Sequence, residues 1–314
     1  MNTLREAVRQ YLDMRRGLGF KLREAGKALI DFVAFLEQHH ASHITSTLAL
    51  AWAQQPSNAQ PAHWAQRLSF VRGFARYRSA TDPHTQIPAL GLLPFQPKRA
   101  RPYLYSEEEI CSLLQAALRM SYRYERGKLR PRVFHCLFGL LSVSGLRLGE
   151  ARNLELQDVD LKAGVLTIRG AKFGKTRLVP LQASTCAVLA DYLARRQRHW
   201  AGRTVSSYLF VSSRGNRLDG GDIHRTFYAL SRQIGLRGPS DRRGPRLHDM
   251  RHRFATKTLV QWYRSGQDPE RRLPLLSAYL GHVHVGDTQW YLEGSPELMR
   301  EAMQRLQQRW EGQP

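Results

Sequence analysis

The chain is short of cysteine, of lysine and of negative charge. Its 314 residues hold three cysteines, Cys111, Cys136 and Cys186. They lie far apart with no Cys-x-x-Cys, which excludes a disulfide framework. Each has apolar neighbours, so all three are expected to be buried free thiols in a reducing compartment. No positively charged run followed by an apolar one stands at the start, so no secretory signal is read there. The most apolar stretch, Val133 to Val143, is interrupted by His135 and is too short to cross a bilayer. No membrane partner and a cytoplasmic location are expected. Common enzyme signatures are also missing: there is no P-loop, no Gly-x-Gly-x-x-Gly after a strand, no His-Glu-x-x-His, no Gly-x-Ser-x-Gly and no two-metal carboxylate cluster. His248 and His252 are four apart on an expected helix, but no further ligand is evident nearby. Neither a metal nor a cofactor is expected.

What the chain has in excess is arginine. Lys and Arg number 48 against 26 Asp and Glu, a formal charge of +22, and only eight of the 48 are lysine. Such an imbalance favours polyanionic partners, and the planar arginine fork suits phosphate oxygens. An arginine-rich host proteome is the bland alternative. Residues 1–100 carry 13 basic and 6 acidic side chains, and the remainder 35 and 20, so both halves are basic. That excludes a neutral enzyme with a basic tail.

The first 95 residues read as four helices. Apolar residues recur near the 3.6-residue period in Leu4–Leu12, Leu22–Leu36, Ile44–Trp52 and His63–Tyr77. On the fourth, Arg67, Arg72, Arg76 and Arg78 accompany the apolar side, either as a solvated face or as a surface lying against a DNA backbone. Five prolines between Thr81 and Pro102, with Lys98, Arg99 and Arg101, make a stiff basic connector. The expected division is residues 1–95, a linker end at 96–102, and a second domain over 103–314. Ser106 and Glu109 form a capping box before Ile110, and an apolar helix from about Arg132 to Ser144 stops at Gly145. Gly164–Arg169 and Thr176–Leu181 read as a hairpin, with Pro180 at an edge or near the strand's end. Helices are then expected over Thr185–Trp200, Asp222–Ile234, His248–Tyr263, Pro274–Leu280 and Pro296–Trp310, the last capped by Ser295. Its Leu298, Ala302, Leu306 and Trp310 form a stripe that either meets a partner or packs on its own domain.

Four stretches hold isolated cations in glycine-punctuated settings. In Ser144-Gly145-Leu146-Arg147-Leu148-Gly149-Glu150, Arg147 is either an ordinary surface arginine or one aimed into a cleft. Lys172, Lys175 and Arg177 lie at the hairpin tip, which either enters a groove or is a solvated turn blunting a sheet edge. His248 and Arg251 are three apart, on one side of a helix whose Phe254, Ala255 and Leu259 face inward. His282 follows the helix-ending Gly281, and Tyr291 stands nine residues later.

Together these stretches resemble the tyrosine recombinase, or phage integrase, family. The resemblance covers nearly the whole chain. It implies a mainly α fold with a small β-sheet: a helical core-type DNA-binding domain, then a mixed α/β catalytic domain. Its catalytic positions fall on Arg147, Lys172, His248, Arg251, His282 and Tyr291, with Glu150 and His252 in supporting places. Phe173 stands where many members have glycine. Trp290 and the run after Tyr291 point to a mobile-element branch rather than to the chromosome-dimer-resolving Xer proteins.

By the same resemblance, Tyr291 attacks a DNA phosphorus to give a 3′-phosphotyrosine. Arg147, Arg251 and His282 donate to the non-bridging oxygens, Lys172 protonates the leaving 5′-oxygen, and His248 either accepts the tyrosine proton or supports the oxyanion. The implied partners are duplex DNA bearing specific core sites, four copies of the chain in a synaptic complex, and accessory recombinases, with nucleoid association while on DNA. Arg67, Arg72, Arg76, Lys98, Arg99, Lys175 and Arg177 are the expected DNA contacts. A non-cleaving DNA-binding protein of the same fold, or a type IB topoisomerase or hairpin-resolving relative, are the other readings.

Overall fold

The computed structural model describes residues 3–93, 101–122, 124–170, 176–241, 243–282, 284–289, 291 and 295–311. The chain divides into two compact units, 1–100 and 101–314.

The first unit is four helices: α1 (Leu4–Gly17), α2 (Arg23–Gln38), α3 (Ser46–Gln54) and α4 (Pro61–Arg78). Thr3 and Glu6 form a capping box on α1, and Pro61 opens α4, where its missing N–H has no helical partner to lose. The apolar periodicity becomes one core, with Phe32, Leu36, Ile44, Trp52, Val71 and Phe74 fully buried. Burial of such side chains stabilises by roughly 1.5–3 kcal/mol each.

The second unit is mainly helical around a small sheet. It runs α5 (Glu107–Leu118), α6 (Arg130–Ser144), α7 (Leu148–Asn153), β1 (Val159–Asp160), β2 (Val165–Ile168), β3 (Arg177–Pro180), α8 (Ala183–Trp200), α9 (Gly220–Gln233), α10 (Leu247–Arg264), α11 (Pro269–Leu280), α12 (Gly286–Gln289) and α13 (Pro296–Glu311). The sheet order is β1-β2-β3, all antiparallel, with Leu166 opposite Val179 and Ile168 opposite Arg177. Pro180 ends an edge strand, where its missing donor costs no ladder bond. The Ser106–Glu109 capping box forms at α5, and the Ser295 hydroxyl accepts from the Leu298 N–H at α13.

Several expectations need correction. Helix α11 begins at Pro269, not Pro274: Asp268 caps the earlier start by accepting from the Glu270 N–H, and Pro274 is absorbed inside the helix. Only Cys136 of the three thiols is buried. Cys111 is exposed because it follows the buried Ile110 by one residue, about 100° around α5. Burial pushes the Cys136 thiol up to about 12. The stripe read along α13 divides: Leu298 is buried against the domain's own residues, while Leu306 and Trp310 are exposed beside Met299 and Met303. Helix α13 lies along α10, where Arg264 pairs with Glu297 and Glu301. Among the described residues no helix is long and apolar enough to cross a membrane.

Candidate active site

The site is built on two helix ends. Helix α6 stops at Gly145, whose φ of +61° suits glycine. A Cβ there would come within 2.5 Å of the Phe254 ring, so the chain turns hard against α10 before Arg147. Helix α11 stops the same way at Gly281, with φ of +67°. Its last carbonyls have no helical partner and carry partial negative charge. Two arginines take them. Arg147 donates through Nη1 to Leu280 O at 3.3 Å and through Nη2 to Gly281 O at 3.2 Å. Arg251, from α10, donates through Nη2 to Leu280 O at 2.6 Å and through Nη1 to Gly145 O at 2.8 Å. The helix period that put His248 and Arg251 on one side thus brings Arg251, 2% exposed, between both helix ends. Burial lowers its guanidinium below the ordinary value, partly offset by the Tyr291 hydroxyl beside it.

Glu150 fixes the orientation of Arg147. It accepts from the Arg147 backbone N–H and from Nη1, both at 2.9 Å. The sequence missed its second partner. Arg177, read as a DNA contact at the hairpin tip, grips Glu150 with two bonds of 3.1 and 2.8 Å and donates through Nε to Tyr279 O at 2.8 Å. The first residue of β3 is therefore tied to both α7 and the end of α11. Burial alone would raise the Glu150 carboxyl, but hydrogen bonds from Arg177 and Arg147 outweigh it and hold the group below its ordinary value. The nearest sequence signal was the Arg177-Leu178-Val179-Pro180 run itself, which says nothing of a partner 27 residues back.

Tyr291 is 6% exposed and packs with Leu273, Leu276, Leu280 and Leu298. Its ring stacks on His282 with centroids 5.9 Å apart and meets His252 edge-on at 5.1 Å. His252 in turn meets the exposed His248 edge-on at 5.0 Å. Partial burial, with the charge of Arg251 adding to it, lowers the His248 imidazole. Burial and the neighbouring His248 push His252 down to about 4, and its buried Nδ1 has no hydrogen-bond partner among the described residues. His282 is pushed down to about 4 by burial, Arg251 and Arg147. It contacts Arg251 Nη2 through Nε2 and the Thr288 hydroxyl through Nδ1. Thr288 is the other residue the sequence reading passed over.

The structure therefore gathers Arg147, Glu150, Arg177, His248, Arg251, His252, His282 and Tyr291. Lys172 and Lys175 lie outside the described residues, as do Lys98 and Arg99. Two arginines of α4 are engaged within their own unit rather than offered outward. Arg67 lies over the Trp52 ring at 3.7 Å, donates to Trp52 O at 3.0 Å and pairs with Asp31. Arg72 donates to Pro88 O and Ala89 O, both at 2.8 Å. Arg76 is exposed. Among the described residues no group of three or more His, Cys, Asp or Glu side chains could hold a metal ion. The assembled site offers three guanidinium groups, one of them committed to Glu150, with three imidazoles and a phenol, a set suited to a phosphoryl group.

The model of the phage integrase family matches residues 105–297. The chain is similar to a putative integrase/recombinase, y4rB, of Sinorhizobium fredii, at 72% identity over 99% of both chains. It is similar to the tyrosine recombinase XerC of Thermodesulfovibrio yellowstonii at 29% identity, over 72% of this chain and 69% of that one. Among solved structures it shares its fold with the XerH site-specific recombinase in a post-cleavage complex with its palindromic difH substrate. That match has a TM-score of 0.65 at 18% identity and covers 91% of this chain and 79% of the other.

Proposed function

The chain belongs to the phage integrase family of tyrosine recombinases, and on that premise we propose that it cuts and rejoins DNA strands at specific sites through a 3′-phosphotyrosine intermediate. The observation that carries this reading is Tyr291 packed against His282 and His252 beside the paired guanidinium groups of Arg147 and Arg251. Tyr291 Oη attacks phosphorus in line. The P–O5′ bond breaks and its electron pair goes to the 5′-oxygen, which Lys172 protonates. His248, at the exposed rim, accepts the phenolic proton or supports the oxyanion; an ordinary phenol near pKa 10 needs such help. One phosphodiester is exchanged for another, so no nucleotide is consumed. A 5′-hydroxyl from another strand reverses the step.

Arg147 and Arg251 hold backbone carbonyls. An entering phosphate offers them charged acceptors instead, and charge-assisted bonds are the stronger. Preorganised donors of this kind contribute roughly 3 kcal/mol each to the transition state. They occupy the role that metal ions take in many nucleases.

The substrate is double-stranded DNA carrying core sites, gripped by a helical core-binding domain over residues 1–95 and a catalytic domain over 103–314. Four protomers act on two duplexes, in the cytoplasm and on the nucleoid, with accessory recombinases as further partners and within a mobile-element setting. The exposed Met299, Met303, Leu306 and Trp310 face of α13 is the candidate connector between protomers.

The test is Tyr291→Phe, which removes one oxygen and keeps the ring. Host DNA bound to the purified chain is denatured and the attached fragments are sequenced. Wild type is expected to yield covalent DNA at defined positions and the variant none, with DNA affinity nearly unchanged. Covalent complex persisting in the variant makes another residue the nucleophile.

A further inference from the structure

The hydrogen bonds of His282 do not match the donor role that the family resemblance implies for it. Nε2 lies 2.8 Å from Arg251 Nη2, and Nδ1 lies 2.7 Å from Thr288 Oγ1. A guanidinium has donors and no acceptor. Nε2 must therefore be the accepting nitrogen, without a proton. The proton of the neutral ring is on Nδ1, where it is donated to the Thr288 hydroxyl. In this arrangement the nitrogen that faces Arg251 has nothing to give a phosphate.

Thr288 is placed to reverse this. Its side chain is fully buried, so no water competes for the hydroxyl. Its backbone carbonyl accepts from the Tyr291 N–H at 3.0 Å, and its own N–H donates to Val285 O at 2.7 Å. One residue thus touches both the ring of His282 and the backbone of the nucleophile. A threonine hydroxyl can accept or donate by rotation alone.

We propose that Thr288 is a positioning residue whose hydroxyl reverses its hydrogen bond to His282, turning Nε2 from an acceptor for Arg251 in the free chain into a donor to the bound phosphate. The proposal rests on the phosphoryl-transfer reading above. An arriving phosphate oxygen draws Arg251 Nη2 away from Nε2. The ring exchanges its proton with solvent, losing it at Nδ1 and regaining it at Nε2, with no net uptake. Oγ1–H then turns to donate to Nδ1. Burial disfavours a positive ring first, and Arg251, Arg147 and Arg177 add to it against Asp287; the proposed switch is between two neutral forms.

The test uses the full chain with 15N-labelled histidine and long-range 1H–15N correlation spectra, which report which ring nitrogen carries the proton. Inorganic phosphate is the probe. The wild type, Thr288→Ser and Thr288→Val are compared. Wild type and the serine variant are expected to show Nδ1–H without phosphate and Nε2–H at saturation. In the valine variant Nδ1 is left without a partner in both forms, so the ring is no longer held in plane: the free-state Nδ1–H signal is expected to broaden and the Nε2–H signal at phosphate saturation to be lost. Three results overturn the proposal: Nε2–H already present in the free wild type, a doubly protonated ring with phosphate, or a wild-type spectrum that phosphate leaves unchanged. A valine variant that keeps the wild-type spectra in both states does so as well. Should Thr288→Val fail to fold, the wild-type and serine spectra decide alone. Failure of covalent trapping at Tyr291 removes the recombinase reading and leaves the free-state tautomer standing; a wrong tautomer removes this proposal and leaves the trapping result standing.

Discussion

At the scale of single residues, the site depends on one carboxylate shared by two arginines. Glu150 and Arg177 are 9% and 12% exposed, so their ion pair is largely out of water. Removing one partner of such a pair strands the other charge, and Arg147 alone then satisfies Glu150. Arg177→Met is expected to destabilise the chain by about 2–4 kcal/mol in denaturant unfolding. It should also lower covalent complex formation more than DNA affinity, because Arg147 loses its fixed orientation. A second change, Glu150→Gln, should cost less in the Arg177→Met background than alone; full additivity in this cycle removes the coupling. Acid sensitivity belongs at the same scale. His252 and His282 are held near 4 in the folded chain against about 6.5 unfolded. The unfolded chain therefore binds more protons between those values. Their contribution is fully present above about 6.5 and is lost as pH falls toward 4. The melting temperature should fall across that window, and His252→Gln should flatten the fall. An unchanged slope in the variant refutes the assignment.

At the scale of elements, two glycine-terminated helices do most of the positioning. Gly145→Ala puts a Cβ within 2.5 Å of Phe254 at a positive φ, so it should disturb both the α6 end and the carbonyl that Arg251 holds. Helix α13 is divided in purpose. Leu298 is packed in the same cluster as Tyr291, and Arg264 clips the first turns through Glu297 and Glu301. Deleting residues 297–314 would therefore disturb the packing of Tyr291 as well as any contact between protomers. The cleaner change is Met303→Ser with Trp310→Ser, both on the exposed face. Stability and binding to one-site DNA should stay near wild type, while cooperative binding to two-site DNA falls in gel-shift titration. Undiminished cooperativity would move the connector elsewhere, to the helices of the first unit.

At the scale of the whole molecule, the excess of 48 cationic over 26 anionic side chains dominates encounters with DNA. If about 6–10 phosphates are contacted, affinity should fall by about 10³–10⁵ between 50 and 200 mM salt. Some of the arginine is spent internally, as Arg67, Arg72 and Arg177 are, so the slope reports fewer contacts than the raw charge implies. A chain of residues 103–314 alone should bind a recovered target site far more weakly than the full chain; equal affinity removes the two-domain grip. Cleavage should persist in EDTA, because the proposed chemistry gives guanidinium and imidazole donors the role of a metal. A strict Mg²⁺ requirement for covalent complex formation would overturn the proposed chemistry.

Helix positions were legible because apolar period and capping are local: Ser106 with Glu109, Ser295 before Pro296, and Gly145 and Gly281 at helix ends all act within a few residues. The basic character and the order of the candidate site side chains are likewise written along the chain. Pro274 misled because a capping aspartate six residues earlier outweighed a proline's usual meaning. What the linear order left open was which charges meet. Arg177 and Glu150 are 27 residues apart, and Arg251 and His282 are 31 apart. Their pairing follows from where α6, α10 and α11 end relative to one another. An arginine on a hairpin has the same local signature whether it meets phosphate, solvent or a buried carboxylate, and only tertiary packing decides among the three. The same holds for the proton on His282: residue type allows either nitrogen, and the placement of Arg251 and Thr288 selects one.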